Sequence, residues 1–366
     1  MKNLNYILYL FFVFCIFSCR SNPKPSSNYM ILDEVVYVDQ FPKVFNLNGG
    51  ETIDLGIIGT QSMSIHDSLL IVTTRDGEGM WSFFTLPDHN YLGKYLIKGR
   101  GPNEFFSPPS VEKQLFFEKH EELFANIYEF NTGKLYLMNI SETLRNNKLS
   151  MHETDHSLPR YIRFSILNDT TFLCNEINEN QTQRIRYLLV NGEKKSSQNF
   201  EKLNKASIDP EEDINILATQ MEKSPDGKRI VEIGISLNQI NLYSIDDSLG
   251  KTICVGKHVD NISQIQQMNR EDRIYSYVSA FVYPDFFCAL YLNDTNKNYQ
   301  QEKIKSTEIQ FFDWEGYPLA KVNIDHMITS LAIDFIQGSL YTLNILSEEL
   351  YKYDIHEILE HLFLIK

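Results

Sequence analysis

Residues 152–156 read His-Glu-Thr-Asp-His. On a helix, that spacing places two imidazoles and a general-base carboxylate around a zinc ion. The flanks oppose such a helix. Asn146, Asn147 and Lys148 precede the segment, Pro159 follows within a turn, and no third ligand stands at a suitable distance. The expectation is a polar strand or loop between structural repeats. His356 and His361 are five apart and make no such pair. Asp67, Asp169, Asp226 and Asp285 fall at comparable points, each after the first apolar segment of a group. Asp stabilises tight turns through its own backbone contacts, and a cation held at one rim is the competing use. No G-x-S-x-G elbow, P-loop or dinucleotide fingerprint occurs, and the many Asp and Glu residues single out no catalytic pair. The expected catalytic, cofactor and metal residues are therefore none.

Cys19 stands apart. Lys2 gives a positive start, an apolar run extends from Tyr6 to Phe17, and Ser18 precedes the cysteine. The run is too short to span a bilayer and has the form of an export signal. A small residue before Cys resembles the bacterial lipoprotein signal, and the form with Ile16 and Phe17 resembles lipoproteins of the Bacteroidetes. That resemblance implies removal of residues 1–18 and acylation of Cys19, for instance by palmitate. Two buried acyl chains hold a protein stably on a membrane. Residues 19–30 then form the lipidated cysteine and a flexible tether with Pro23, Pro25 and several Ser. Surface-exported lipoproteins of these bacteria carry an acidic run after the cysteine. Arg20 and Lys24 stand here instead, which favours an outer-membrane lipoprotein facing the periplasm. A plain cleaved signal and an uncleaved anchor are the alternatives.

The net charge of −14 repels phosphates, and no Lys/Arg run offsets it, so nucleic acid is not an expected partner. Cys15 leaves with the signal. Cys174, Cys254 and Cys288 sit among apolar residues at wide spacing, the pattern of buried free thiols, with a pair across neighbouring segments as the alternative.

The elements that would carry these residues are short. Alternating segments rich in the 24 Phe and 20 Tyr are separated by Asp, Asn, Gly and Pro, which reads as strands and turns. They form six groups whose first strands start about 50 residues apart, the period of a propeller blade. The second group has a poor fourth strand near residues 148–153, and the third has one over residues 194–200. The sixth group supplies three strands. A segment ahead of the first group, Glu34–Val38 or Val44–Leu47, is expected to complete the last blade and hide the edges of an open array. The expected fold is all-β, a six-bladed propeller of four-stranded antiparallel blades over residues 31–366. Two β-sandwiches are the competing arrangement. Trp81 and Trp314 are assigned to third strands, for packing rather than sugar stacking.

Residues 98–105 read Lys-Gly-Arg-Gly-Pro-Asn-Glu-Phe. Gly99 and Gly101 tolerate positive φ, and Pro102 fixes its own φ, so a sharp exit from an outer strand is expected. Arg100 and Glu104 can pair or bind the turn backbone, making an interblade staple; contact of Arg100 with a ligand at the channel mouth is the second use. With residues 67–72 (Asp-Ser-Leu-Leu-Ile-Val) and Pro108, this segment resembles the TolB-like six-bladed propeller lipoproteins of Bacteroides and relatives. The resemblance implies fold and anchorage and brings no activity. Arg100, Gly101 and Glu104 are thus a ligand site or a structural turn. The functional expectation is a non-catalytic platform, anchored through acylated Cys19, that binds a protein, peptide or glycan. A metal-dependent hydrolase or lactonase at the channel mouth is the alternative. A hydrolase needs convergent Asp, Glu, Asn or His on inner strands, and a platform needs an apolar or aromatic patch on one rim.

Overall fold

The computed structural model describes residues 27–160 and 162–364. The leader, Cys19 and the tether up to residue 26 lie outside the described residues. Within these residues the strands form six sheets arranged as the blades of a closed propeller. The innermost strands are Thr60–His66, Phe116–Lys119, Arg163–Asn168, Thr219–Lys223, Ile274–Val282 and Ser330–Asp334. Each blade then steps outward through antiparallel neighbours, as Leu69–Thr74, Trp81–Thr85 and Tyr91–Tyr95 do in blade one.

Local chemistry sets the turns. In blade four, Gly227 takes φ 72° while the Asp226 carboxylate accepts from Ser224 Oγ at 2.6 Å and Lys228 N at 3.1 Å. Glycine adopts that left-handed backbone without steric cost. Asp67 itself is left-handed at φ 50°, and all four Asp positions lie in turns joining first to second strands. The rim that carries these turns is the hairpin face. The opposite rim, where the chain passes from one blade to the next, is the connection face.

Burial alternates along the strands, so each blade packs a face against each neighbour. Ile71 and Phe83 of blade one meet Ala125 and Ile127 of blade two; Tyr341 and Leu343 of blade six meet Met63 and Leu70 of blade one. Each such side chain contributes about 1.5–3 kcal/mol when fully buried. Among the described residues, the seam between blades two and three has seven buried apolar residues against ten or more in each of the other five.

The ring closes through a segment other than the one expected. Glu51–Thr52 pairs antiparallel with Glu349–Asp354 and supplies the fourth strand of blade six. Glu34–Val38 instead adds a fifth, parallel strand outside blade four, and Val44–Leu47 does the same on blade five. The N-terminal chain therefore straps three blades in turn. It can do so because Gly250–Val255 and Pro318–Ile324, the outer strands of blades four and five, present edges whose backbone groups need partners. Two further boundaries differ. The fourth strand of blade three is only Glu193–Lys195, because Ser197 caps a helix over Gln198–Leu203 through the Phe200 amide. That of blade two is Met151–Ser157. Trp81 and Trp314 are both buried, donating to the carbonyls of Pro109 and Tyr283, although Trp314 lies just beyond its strand. Cys174, Cys254 and Cys288 are buried free thiols.

Candidate functional site

Blade two explains where the molecule opens. Ala125, Ile127, Tyr136 and Met138 face blade one, so the alternate residues Asn126, Leu137, His152 and Thr154 face blade three. This polar face cannot be filled by apolar packing, and a cleft of about 1220 Å³ opens on the hairpin side of that seam. Phe117 and Phe124 stack on its wall at 5.5 Å, and His156 meets Phe172 edge-on. His152 and His156 both line the cleft from a strand that bulges between Glu153 and Ser157. Glu153 pairs with Lys134 at 2.8 Å. The segment is a strand, as its flanks imply, and not the helix on which the zinc-peptidase spacing works. Among the described residues no three His, Cys, Asp or Glu side chains could hold a metal ion together.

The segment entering blade two reaches across the channel. Gln114 Nε2 donates to the Met221 carbonyl at 3.0 Å, and Lys223 N donates to Gln114 Oε1. Beside it, Lys113 Nζ sits 5.0 Å from the Tyr283 ring and 6.0 Å from that of Phe335, within cation–π range. Burial draws the Lys113 ammonium below its ordinary value, with Asp67 opposing. Burial and the Lys113 charge hold His66 neutral, its pKa lowered to about 3.

Lys113 and Tyr283 join the cavities. Lys113 lines both the cleft and a channel cavity of about 320 Å³, and Tyr283 lines that cavity and a third space. The third space is a groove of about 810 Å³ between Tyr283, Phe286, Phe335 and the C-terminal helix His356–Leu364. Phe335 and Phe363 are 38% and 42% exposed, and neighbouring Ile336 is 65% exposed, so one rim carries a contiguous aromatic patch. Asp285, His356 and Glu360 edge the groove. The helix is fixed from beneath by Ile355, Ile358, Leu359 and Leu362, buried against blades five and six.

The GRGPNEF segment lies elsewhere, at the exit from blade one. Glu104 Oε2 accepts from Gly101 N at 2.8 Å, and the Arg100 guanidinium lies over Phe106 at 5.8 Å. Asn103, not Gly99 or Gly101, takes the positive φ, 62°. Gly99 leaves room for the Glu104 carboxylate: a Cβ there would stand 1.8 Å from Glu104 Oε2 and would displace it. Phe105 is fully buried between blades one and two. The three residues thus form a turn, and Arg100 lines none of the three cavities described.

Sequence reasoning passed over Lys113, Tyr283, Phe335 and Phe363. Phe335 and Ile336 sit where a polar turn is expected, and that apolar turn was the available signal. Lys113 carries no signal, since its neighbours come from blades five and six.

A closed ring of six antiparallel blades, open on one face, defines the chain as a six-bladed β-propeller. Its sequence matches the TolB-like 6-blade propeller-like family over residues 60–335, more than half of the chain, and the protein belongs to that family. No functionally curated protein matches it. Similar solved structures include regucalcin, a calcium-binding protein from Agrobacterium tumefaciens (12% identity, 86% of this chain and 95% of that one, TM-score 0.44). Raptor from Chaetomium thermophilum is 10% identical over 81% of this chain and 27% of that one, with TM-score 0.46. Hydrazine synthase from Kuenenia stuttgartiensis is 9% identical over 81% and 84%, with TM-score 0.39.

Proposed function

We propose that the protein is a membrane-anchored, extracytoplasmic binding platform with no catalytic role, which presents its hairpin face to a protein or peptide partner. The observation that carries this reading is the groove floored by the buried rings of Tyr283 and Phe286 and rimmed by the exposed Phe335 and Phe363, with Ile336 exposed beside them. An apolar patch on one rim marks an interaction surface. The acidic edge of the groove and the net charge of −14 favour a partner segment with an apolar anchor flanked by basic residues.

The described end of the tether supports the orientation such a platform needs. Ser27 N donates to the Lys205 carbonyl, Ile262 N donates to that of Asn28, and Asn261 Nδ2 donates to the Tyr29 hydroxyl. Lys205, Asn261 and Ile262 all lie in interblade connections, so the chain enters the ring on the connection face. Eight residue steps from Cys19 to Ser27 span at most about 28 Å. An acylated Cys19 would hold the connection face toward the lipid and leave the groove facing away. Among the described residues, no helix is long and apolar enough to cross a membrane. Arg20 and Lys24 favour the periplasmic side of the outer membrane.

Selection of displayed random peptides on the purified protein tests the reading. Recovered peptides are expected to carry an aromatic or aliphatic anchor with Lys or Arg nearby, and Phe335→Asp should abolish their binding. Peptides that ignore Phe335→Asp, or recovery of glycans alone from a matched glycan array, would overturn it.

A further inference from the structure

The channel cavity holds a feature that the platform does not use. Glu222, on the inner strand of blade four, is 2% exposed and lines the cavity, yet its Oε2 has no hydrogen-bond partner among the described residues. Its Oε1 has only the Gln220 amide at 3.4 Å. An unpartnered buried carboxyl oxygen carries a full desolvation cost. A second carboxylate stands near. Glu112, on the segment that reaches across the channel, is held by Gln114 Nε2 at 3.2 Å and by Arg163 at 3.9 Å. The Lys113 ammonium lies against the Tyr283 and Phe335 rings rather than against these acids. Arg163 pairs with Glu112, and among the described residues Glu222 has no cationic partner of its own. Val278, Tyr299 and Ile345 supply an apolar wall to the same cavity.

We propose that the channel binds a small organic ligand through its protonated amine, with the ammonium on Glu222 and Glu112 and an apolar stem along Val278, Tyr299 and Ile345. A primary ammonium offers three donors, which matches the orphaned Oε2 and adds the missing charge. A divalent metal ion fits less well, because the cluster has only two carboxylates and a guanidinium beside them. The cavity of about 320 Å³ restricts the ligand to a few non-hydrogen atoms beyond a single ring.

Burial, with Glu112 adding to it, holds the Glu222 carboxyl well above its ordinary value, opposed by Arg163; Gln220 is its other polar neighbour. An arriving ammonium stabilises the ionised form, so binding releases a proton. The remaining lining from blades one, five and six around it, including Gln61, Ser330 and Val278, is uncharged.

Isothermal titration of the full chain with 2-phenylethylamine, and with 2-phenylethanol as neutral isostere, tests this. The amine should bind with proton release, read as a buffer-dependent heat at neutral pH, and the alcohol should not bind. Glu222→Gln, isosteric with the protonated acid, should weaken the amine by about tenfold or more. Three outcomes would each overturn the proposal: no saturable binding of the amine, equal binding of the alcohol, or wild-type affinity in Glu222→Gln. Should that variant fold poorly, absence of proton release in the wild-type protein decides against it alone.

Discussion

Arg186 of blade three and Glu232 of blade four form an ion pair with no solvent exposure on either side chain. Arg186 Nη2 donates to Glu232 Oε1 at 2.6 Å and Nε donates to Oε2 at 2.8 Å. Thr219 and Tyr243 hydroxyls donate to the same carboxylate, and the Met30 sulfur accepts from the guanidinium. Burial alone pushes the Glu232 carboxyl up; the guanidinium and these donors outweigh it and leave the carboxyl below its ordinary value. Glu232→Gln should cost about 3–5 kcal/mol, because it strands a buried charge. A double change, Arg186→Met with Glu232→Leu, should recover most of that loss in urea unfolding. The sign with pH follows from the lowered carboxyl. The pair's contribution is fully present above the ordinary carboxylate range and is lost as pH falls through the folded value. Acidification should therefore cost the native protein more stability than the double variant.

The strap makes a second prediction. Leu32 is buried between blades three and four, its amide donating to Thr252 Oγ1, and the adjoining Met30 carbonyl accepts from Gln239 and Asn241. Leu32→Ala should destabilise by about 2–5 kcal/mol. Val44→Ala, at a half-exposed position of the same strap, should change stability by about 0.5 kcal/mol or less. Equal effects in chemical denaturation would mean that the strap is not docked as described.

The turn after blade one separates its three residues. Glu104→Ala should cost about 1 kcal/mol through the lost Gly101 contact. Gly99→Ala should cost about as much, because the added Cβ drives the same Glu104 carboxylate out of the turn. Arg100→Ala should be close to neutral, since the guanidinium lies over the exposed ring of Phe106. Thermal unfolding of the three variants gives the order.

Anchorage is tested by fractionation. Cys19→Ala should move the protein from membranes to the soluble fraction, because acyl chains supply the hold. Continued sedimentation with membranes would remove lipidation as the anchor.

The blade period was legible because the turns repeat: segments such as Ser224-Pro225-Asp226-Gly227 break alternating strands at regular intervals. The ring-closing strand was misplaced because Glu34–Val38 and Val44–Leu47 look more strand-like than the two residues Glu51–Thr52. Register to a distant edge, as between Val36 and Ile253, leaves no local trace. The helix at Gln198–Leu203 was mistaken for a strand because Phe200 extends an apolar alternation, although Ser197 with Glu201 carried the cap signal. The site was less legible than the fold. Glu222 reads as the polar member of an alternating strand, and its burial comes from the channel lining that distant blades and residues 110–113 supply.

The central claim is that the hairpin face meets a partner while the connection face does not. A photo-crosslinking amino acid placed at Ile336 on the first face, or at Asp209 on the second, tests this in intact cells. One discrete adduct is expected from Ile336, lost when Phe335→Asp is added, and none from Asp209. Matching adducts from both positions, or an Ile336 adduct that survives Phe335→Asp, would contradict it.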